Sequence, residues 1–245
     1  VPNDVAWKKQ TPKAQSASGV PASVEADGAV KFSGSAPDKD TYTLTFEAAA
    51  GTFSSLKLET LKDGKEGPGR TAHGNFVLTG MSVTVAAKEK PSDIQTLMLT
   101  KASADFSQKD FDVGGAIDGK PETGWAIDDG NNKNATKDHA ATFVFDKPVT
   151  LPQGGAFTVK LEQNFGTQHV IGRLRLSIGS DVNAATPLVE RRNAAIEARF
   201  ADWQKTESEK AAAWQILKPS AIKTNSPFIA QQEDGALLVS GDITK

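Results

Sequence analysis

Short segments of alternating apolar and polar residues run along most of the chain. In residues 42–46 (YTLTF) and 56–59 (LKLE) every second side chain is apolar, which is the period of a half-buried β-strand. Further strand-like segments follow at 76–78, 81–85, 96–99, 141–145, 157–161 and 174–178. Clusters of Gly, Pro, Asn and Asp separate them, as at 152–155. Many short strands joined by irregular loops predict a mainly β fold, a β-sandwich or jelly roll.

A different pattern occupies residues 186–214, which are rich in Ala, Glu, Arg and Lys and contain no Gly. Thr186 suits a helix N-cap, and Pro187 suits the first turn that follows it. The apolar residues that fall roughly on one stripe of a 3.6-residue period are Val189, Ile196, Phe200, Trp203 and Ala211. The segment predicts one long amphipathic helix near the C-terminus, which packs on the sandwich or spaces it from a neighbour. Binding to a partner or a membrane is the alternative.

One spaced series of residues occurs twice. Trp7, Pro12 and the turns at 27–28 (DG) and 33–34 (SG) recur 207 positions later, as Trp214, Pro219, 234–235 and 240–241. A gapless register through all four correspondences indicates one complete repeat and the opening of a second, taken from a tandem array. The predicted domains are therefore a β-sandwich at 1–182, formed as one sandwich or two packed ones, a helix or spacer at 183–213, and the first strands of a second repeat at 214–245.

Composition argues against several classes of function but identifies no ligand. The 245 residues include 28 Lys and Arg against 30 Asp and Glu, so nothing indicates a cationic surface for nucleic acid. No run of eighteen apolar residues is present, and membrane insertion is not expected. The absence of cysteine excludes disulfides, thiolate nucleophiles and covalently attached haem within this segment. Neither a G-x-S-x-G nor an H-E-x-x-H motif occurs, and a non-catalytic module is expected.

Residues 67–75 (GPGRTAHGN) form a glycine-rich segment between two predicted strands. Its backbone N–H groups, together with Arg70, His73 and Asn75, could bind a sugar hydroxyl, a carboxylate or a sulfate. The segment lacks the Lys-Ser/Thr ending of a phosphate-binding loop and does not precede a helix, so it does not indicate nucleotide binding. A purely structural loop, with Arg70 paired to a nearby acid, is the alternative.

Trp125 has two interpretations. Its aromatic face could stack on the C–H side of a pyranose, but its position after a turn and beside Ile127 is typical of a core residue. Residues 128–134 form a polar loop rich in oxygen donors, which is either solvated or bound to calcium. Asp128 and Asn131 in this loop, with His139 after it, are grouped with the glycine-rich segment as candidate ligand-binding residues.

The segment that follows residue 168 carries three further polar side chains in strand-like sequence. His169 is interpreted as structural. Arg173 and Arg175 alternate with two leucines and share one face of the predicted strand. That face is either an anion-binding surface or an ordinary solvated one.

The segment around residues 116–125 contains A-I-D-G followed by T-G-W. The Asp, Thr and Trp of these motifs are Asp118, Thr123 and Trp125. This spacing resembles discoidin-like, galactose-binding-like domains. The resemblance implies that Asp118 and Thr123 help to build a small calcium site and that the Trp packs in the core. The strand at 76–83 resembles one that normally closes such a domain, yet it precedes the Asp-Gly turn, and Gly80 replaces its usual Glu.

A longer series of motifs occurs in the order YTLTF, LKLETL, GPGRTAHGNFVLT, ADFSQ, AIDGKPETGWAI and IGRLRLS. This series resembles a region of large secreted planctomycete proteins that also carry planctomycete-type cytochrome c domains. The resemblance implies a secreted, periplasmic or cell-surface location and neighbouring domains in the same polypeptide. With the candidate residues above, it leads to the expectation of an accessory module that binds a polysaccharide or glycan. A structural spacer or assembly repeat without a small ligand is the alternative.

Overall fold

The computed structural model describes residues 2–64, 67–131, 133–211, 216–225 and 227–241. Trp214, a marker of the predicted repeat, lies outside the described residues, and so does the side chain of Ala211. Contacts divide the chain into two units, Pro2–Arg191 and Arg192–Lys245. The protein is mainly β with one long helix near the C-terminus, which confirms the predicted fold class.

The strands, in chain order, are β1 (Lys8–Lys9), β2 (Lys13–Ser16), β3 (Ala22–Val24), β4 (Val30–Phe32), β5 (Asp40–Ala48), β6 (Gly51–Thr60), β7 (Val77–Leu78), β8 (Gly80–Ala87), β9 (Ile94–Leu97), β10 (Leu99–Ala104), β11 (Trp125–Ala126), β12 (His139–Leu151), β13 (Gly155–Gln163), β14 (Arg173–Gly179), β15 (Phe228–Gln231) and β16 (Leu237–Ser240). A 3-10 helix spans Val113–Ala116, and the α-helix α1 spans Leu188–Ala211. The helix therefore begins two residues after the predicted cap.

Two antiparallel sheets make up the unit Pro2–Arg191. The larger has seven strands in the order β10-β12-β6-β14-β4-β3, with β1 also paired to β14. The smaller has five strands in the order β2-β5-β13-β8-β9. The short strands β7 and β11 pair with each other, and β15 pairs with β16 in the unit Arg192–Lys245.

The two sheets share one apolar core, which makes the arrangement sandwich-like. Burial alternates along β5, where every second side chain from Asp40 to Phe46 points inward. This matches the period of the sequence pattern, because successive side chains of a strand lie on opposite faces. The rings of Phe32 from the larger sheet and Tyr42 from the smaller one stack with centroids 3.6 Å apart. The core therefore joins the sheets at this point by direct aromatic contact.

The predicted helix is confirmed, but the apolar side chains of its stripe are exposed. The exposed fractions are 64% for Val189, 55% for Ile196, 54% for Phe200 and 57% for Trp203. Arg191 near the start of α1 forms an ion pair with Asp181 at 2.9 Å. Among the described residues, no helix is long and apolar enough to cross a membrane.

Candidate functional site

The glycine-rich segment 67–75 is held against the strand-like segment 170–172. The Arg70 N–H donates to the Val170 carbonyl at 2.9 Å, and the Gly172 N–H donates to the Pro68 carbonyl at 2.7 Å. Gly69 is required here, because a Cβ on it would lie 1.9 Å from the Asn75 carbonyl oxygen. The segment therefore takes one fixed path, and its side chains project from defined positions.

Asn75 joins three segments of the chain. Its side chain is 4% exposed, and its Oδ1 accepts from the Ile127 N–H at 3.0 Å. Its Nδ2 donates to Gln108 Oε1 at 3.0 Å, and the same oxygen accepts from the Asp128 N–H at 3.2 Å. A buried side-chain amide with both ends bonded fixes the loops that carry it. Asn75 therefore positions the candidate site, and both ends of its side-chain amide are already hydrogen-bonded within the protein.

Four rings form a continuous row beside this network, which we call the aromatic row: Phe111, Phe165, His169 and His73. Neighbouring ring centroids in the row are 5.1, 5.6 and 6.0 Å apart, and each contact is edge to face. All four side chains are half-buried, so each ring offers part of its surface to solvent. The Asp128 carboxylate lies 3.9 Å from His73 Nε2 at one end of the row.

The position of His169 follows from the pairing of the glycine-rich segment. The Val77 N–H donates to the His169 carbonyl at 3.0 Å, just beyond the contact between Arg70 and Val170. Burial lowers the pKa of His169, so its imidazole is neutral at pH 7. Nδ1 lies 2.9 Å from the Thr167 carbonyl, which assigns the proton to Nδ1 and leaves Nε2 as an acceptor.

Arg70 faces a different cleft. Its guanidinium donates to the Gly34 carbonyl, and its buried Nη1 has no hydrogen-bond partner among the described residues. The cleft has a volume of about 350 Å³ and is also lined by Lys31 and Asp63, which form an ion pair at 2.8 Å. Arg70 therefore shares a loop with His73, but not the surface of the aromatic row.

Trp125 is a core residue, the second of the two interpretations of its sequence position. It is 0% exposed, its indole N–H donates to the Phe106 carbonyl at 2.9 Å, and its ring meets Phe76 edge to face at 5.0 Å. A fully enclosed ring offers no face to a sugar. In this structure Trp125 is therefore part of the apolar core.

His139 is also enclosed and bonded at both ring nitrogens. It is 5% exposed, with Nδ1 at 3.1 Å from Asp105 Oδ1 and Nε2 at 2.9 Å from the Asn134 carbonyl. Burial alone lowers its pKa, but these two hydrogen bonds outweigh burial, and the pKa of His139 is raised. His139 thus anchors the polar loop 128–134 to β12.

The polar loop is organised by its own carboxylates. Asp128 Oδ1 accepts from the Gly130 N–H at 2.8 Å, and Asp129 Oδ1 accepts from the Asn131 N–H at 3.1 Å. These are local side-chain-to-backbone turns. Asn131 is exposed, and of the predicted loop residues Asp128 is the one that reaches the aromatic row.

Asp118 and Thr123 are brought together as the discoidin-like resemblance implies. Thr123 Oγ1 lies 2.8 and 2.9 Å from the two Asp118 oxygens, 2.9 Å from the Lys120 carbonyl and 3.3 Å from the Gly115 carbonyl. The Lys120 N–H donates to Asp118 Oδ1, and together with Thr123 it lowers the pKa of Asp118. One hydroxyl proton faces four acceptor oxygens here, and such an oxygen-rich set has the donor chemistry that calcium prefers.

A carboxylate stands beside Gly80, where the resemblance implies a Glu. A Cβ on Gly80 would lie 3.0 Å from Oε2 of Glu162, which projects from the neighbouring strand β13. Gly80 and Glu162 line the same cleft as Gly119 and Lys120, with a volume of about 240 Å³. Among the described residues, however, no group of three or more His, Asp or Glu side chains could hold a metal ion.

Arg173 and Arg175 form ion pairs on the face of the larger sheet. Arg173 contacts Glu25 at 2.5 Å, and Arg175 contacts Asp27 at 2.7 Å and Glu59 at 2.9 Å. The Arg175–Glu59 contact is bidentate, since Nη2 also reaches the second Glu59 oxygen at 3.0 Å. This face is therefore an ion-paired surface, and both guanidinium groups already have carboxylate partners.

The protein is thus mainly β and sandwich-like, and its aromatic row lies beside Asp128 of the polar loop 128–134. Comparisons with family models, with curated proteins and with solved structures find no match. Phe111, Phe165 and His169 are functional candidates that sequence reasoning missed. Phe165 and His169 lie in the segment between β13 and β14, whereas Phe111 lies in another segment, and the sequence carries no signal that the three rings meet.

Proposed function

We propose that the protein is a non-catalytic carbohydrate-binding module and that the aromatic row is its binding surface. The observation that carries this proposal is the run of four half-buried rings with a carboxylate at one end. Aromatic faces suit the C–H side of a sugar ring, and a few polar groups at the edge of an apolar surface fix the orientation of a ligand.

The polar groups of the row favour neutral sugars. The Asp128 carboxylate accepts hydrogen bonds from sugar hydroxyls but repels a uronate or sulfate, because like charges raise the free energy of the complex. Neutral His169, which contacts His73 on the side away from Asp128, offers Nε2 as a second acceptor for sugar hydroxyls. The proposed ligand is therefore a neutral polysaccharide or oligosaccharide. The module would serve a larger exported protein, as the planctomycete resemblance implies.

A calcium ion at Asp118 and Thr123 belongs to the same proposal as a structural element. What supports it is the set of oxygens around Thr123 Oγ1 and the nearby Glu162 carboxylate. A bound ion there would hold the 117–123 segment, which follows the 3-10 helix Val113–Ala116.

A glycan array with neutral and acidic glycans tests the binding proposal. We expect the full chain to bind neutral glycans, and Phe165→Ala to weaken that binding at least tenfold while cooperative unfolding is retained. Phe200→Ala is the matched control, because it removes an exposed ring from α1 instead of the row. Equal loss in both variants contradicts the proposal. An array without any bound glycan leaves the alternative of a structural repeat.

A further inference from the structure

The hairpin β15–β16 reproduces the hairpin β3–β4 at an offset of 207 positions. In the first hairpin Ala22 pairs with Phe32, Ser23 with Lys31 and Val24 with Val30. In the second, Ile229 pairs with Val239, Ala230 with Leu238 and Gln231 with Leu237. Each of these pairs is the earlier pair shifted by the same offset, so the two hairpins have the same register.

The turns of the two hairpins also match bond for bond. Glu25 N–H donates to the Ala29 carbonyl at 2.7 Å, and Gln232 N–H donates to the Ala236 carbonyl at 2.8 Å. The glycines of these turns, Gly28 and Gly235, have φ angles of 84° and 87°. Such positive φ values favour glycine, which explains why both Asp-Gly pairs are present. Over this hairpin, the sequence repeat is thus also a structural repeat.

The surroundings of the two hairpins differ. Val30 and Phe32 are 0% and 1% exposed, because β4 pairs with β14 and its apolar face joins the core. Their counterparts Leu237 and Val239 are 48% and 59% exposed. Burial of such side chains stabilises a fold by roughly 25 cal/mol for each Å² removed from water. The second hairpin therefore presents to solvent the surface that the first one buries.

The charged residues of the two turns also differ in their surroundings. Asp27 in the first turn accepts from the Ala29 N–H and forms an ion pair with Arg175 of β14 at 2.7 Å. Its counterpart Asp234 keeps the turn bond to the Ala236 N–H at 2.9 Å and is exposed. A strand that alternates leucine and arginine, as β14 does, would pair with the edge of this hairpin and place an arginine beside the Asp234 carboxylate.

We propose that the exposed face of β15–β16 packs into a second sandwich of this type, in which β15–β16 itself is the equivalent of the hairpin β3–β4. In that second sandwich the hairpin lies beside a strand with the pattern of β14. An intact copy of this chain is not the partner, because its β4 already pairs with its β14. This inference does not depend on glycan binding.

A graft within the full chain tests whether the second hairpin can take the place of β3–β4 beside β14. Residues 22–32 of the full chain are replaced by the sequence of residues 229–239, so that the second hairpin is placed beside β14. We expect one cooperative unfolding transition, slow amide exchange in the grafted strand and a Tm lowered by about 5–12 °C, since Val replaces Phe32. A second graft that keeps Phe32 should recover most of the lost Tm.

Two aspartate variants of the graft serve as a matched pair. Leu237→Asp in the grafted segment should abolish folding, because its counterpart Val30 is fully buried. Leu238→Asp should be tolerated far better, because its counterpart Lys31 lies on the other, half-buried face, where the guanidinium of its cross-strand partner Arg173 offsets the Asp63 carboxylate. Failure of both grafts to unfold cooperatively, or equal effects of the two aspartates, would overturn the proposal. Self-association of the unaltered chain that Leu237→Asp abolishes would also overturn it, since the occupant would then be an intact copy.

Discussion

The side-chain amide of Asn75 donates to the side-chain oxygen of Gln108 at 3.0 Å. This contact links the glycine-rich segment to the loop that carries Phe111, and the Asp128 N–H donates to the same Gln108 oxygen. The rings and the carboxylate of the candidate site therefore depend on a buried amide network that itself touches no ligand. Its removal should affect stability first and binding second.

We expect Asn75→Ala to lower the free energy of unfolding by about 2–3 kcal/mol, because the buried Ile127 N–H and one Gln108 bond lose their partner. Denaturant titration followed by circular dichroism measures the change. Asn131→Ala, at an exposed position of the polar loop, is the control and should change stability by less than about 0.5 kcal/mol. Equal stabilities of the two variants would contradict the role of Asn75.

Trp125 gives a second prediction, which separates support of the site from contact with a ligand. Trp125→Ala should cost about 3–5 kcal/mol, because it empties a large fully buried volume. Trp125→Phe keeps most of the ring but leaves the Phe106 carbonyl without its donor, at a cost of about 1–3 kcal/mol. Glycan binding at a temperature where Trp125→Phe is folded should equal that of the unaltered chain. A selective loss of binding in that variant would mean that Trp125 contacts the ligand.

The sheets could be predicted from the sequence because their signal is local. The alternation at 42–46 and 56–59 lies within β5 and β6, although both strands extend beyond the predicted segments. Strand ends carry no periodic signal, since a single exposed residue fits either a strand or a loop. The helix could also be predicted, because a segment of helix-favouring composition directly follows the start signal at Thr186 and Pro187.

The candidate site could be predicted only in part. His73 and Asp128 were found because they stand in loops of unusual composition. Phe165 and His169 were missed, because they reach His73 through pairing between segments far apart in the chain, as in the bond from Val77 to His169. Such long-range pairing leaves no pattern in a single sequence. Burial also decided the roles of Trp125 and His139, and a residue's environment is a property of the fold.

The calcium proposal predicts a ligand-dependent melting temperature. Adding millimolar calcium to chelator-treated protein should raise Tm, since an ion that binds only the folded state stabilises it by RT ln(1 + [L]/Kd). Asp118→Asn should remove most of the rise, because it withdraws a carboxylate oxygen from the set around Thr123. Differential scanning calorimetry measures the shift.

Two further variants define the calcium site. Glu162→Gln should reduce the rise if this carboxylate completes the site beside Gly80. Asp146→Asn, at an exposed position of β12, should leave the rise unchanged. An identical Tm in chelator and in calcium would remove the metal from the proposal.

The His139–Asp105 pair predicts how stability depends on pH. Both nitrogens of His139 face oxygen acceptors, so the doubly protonated ring satisfies both hydrogen bonds and the neutral ring only one. The pKa of His139 is raised on folding: burial lowers it, but the bonds to Asp105 and to the Asn134 carbonyl prevail. A raised pKa stabilises the folded state fully below the unfolded pKa, near 6.5, and this stabilisation is lost as pH rises through the folded pKa.

Comparing the unaltered chain with the variant Asp105→Asn isolates the contribution of the His139–Asp105 pair to stability. The Asn oxygen still accepts from the Ala140 N–H, so the variant removes the charge and keeps the backbone bond. The lowered pKa of His169 has the opposite effect on stability, but it is present in both proteins and cancels in their difference. We expect the Tm difference between the unaltered chain and Asp105→Asn to be larger at pH 5.5 than at pH 8.5. A difference that is the same at both values would show that His139 stays neutral in the folded protein, with a single hydrogen bond from its ring.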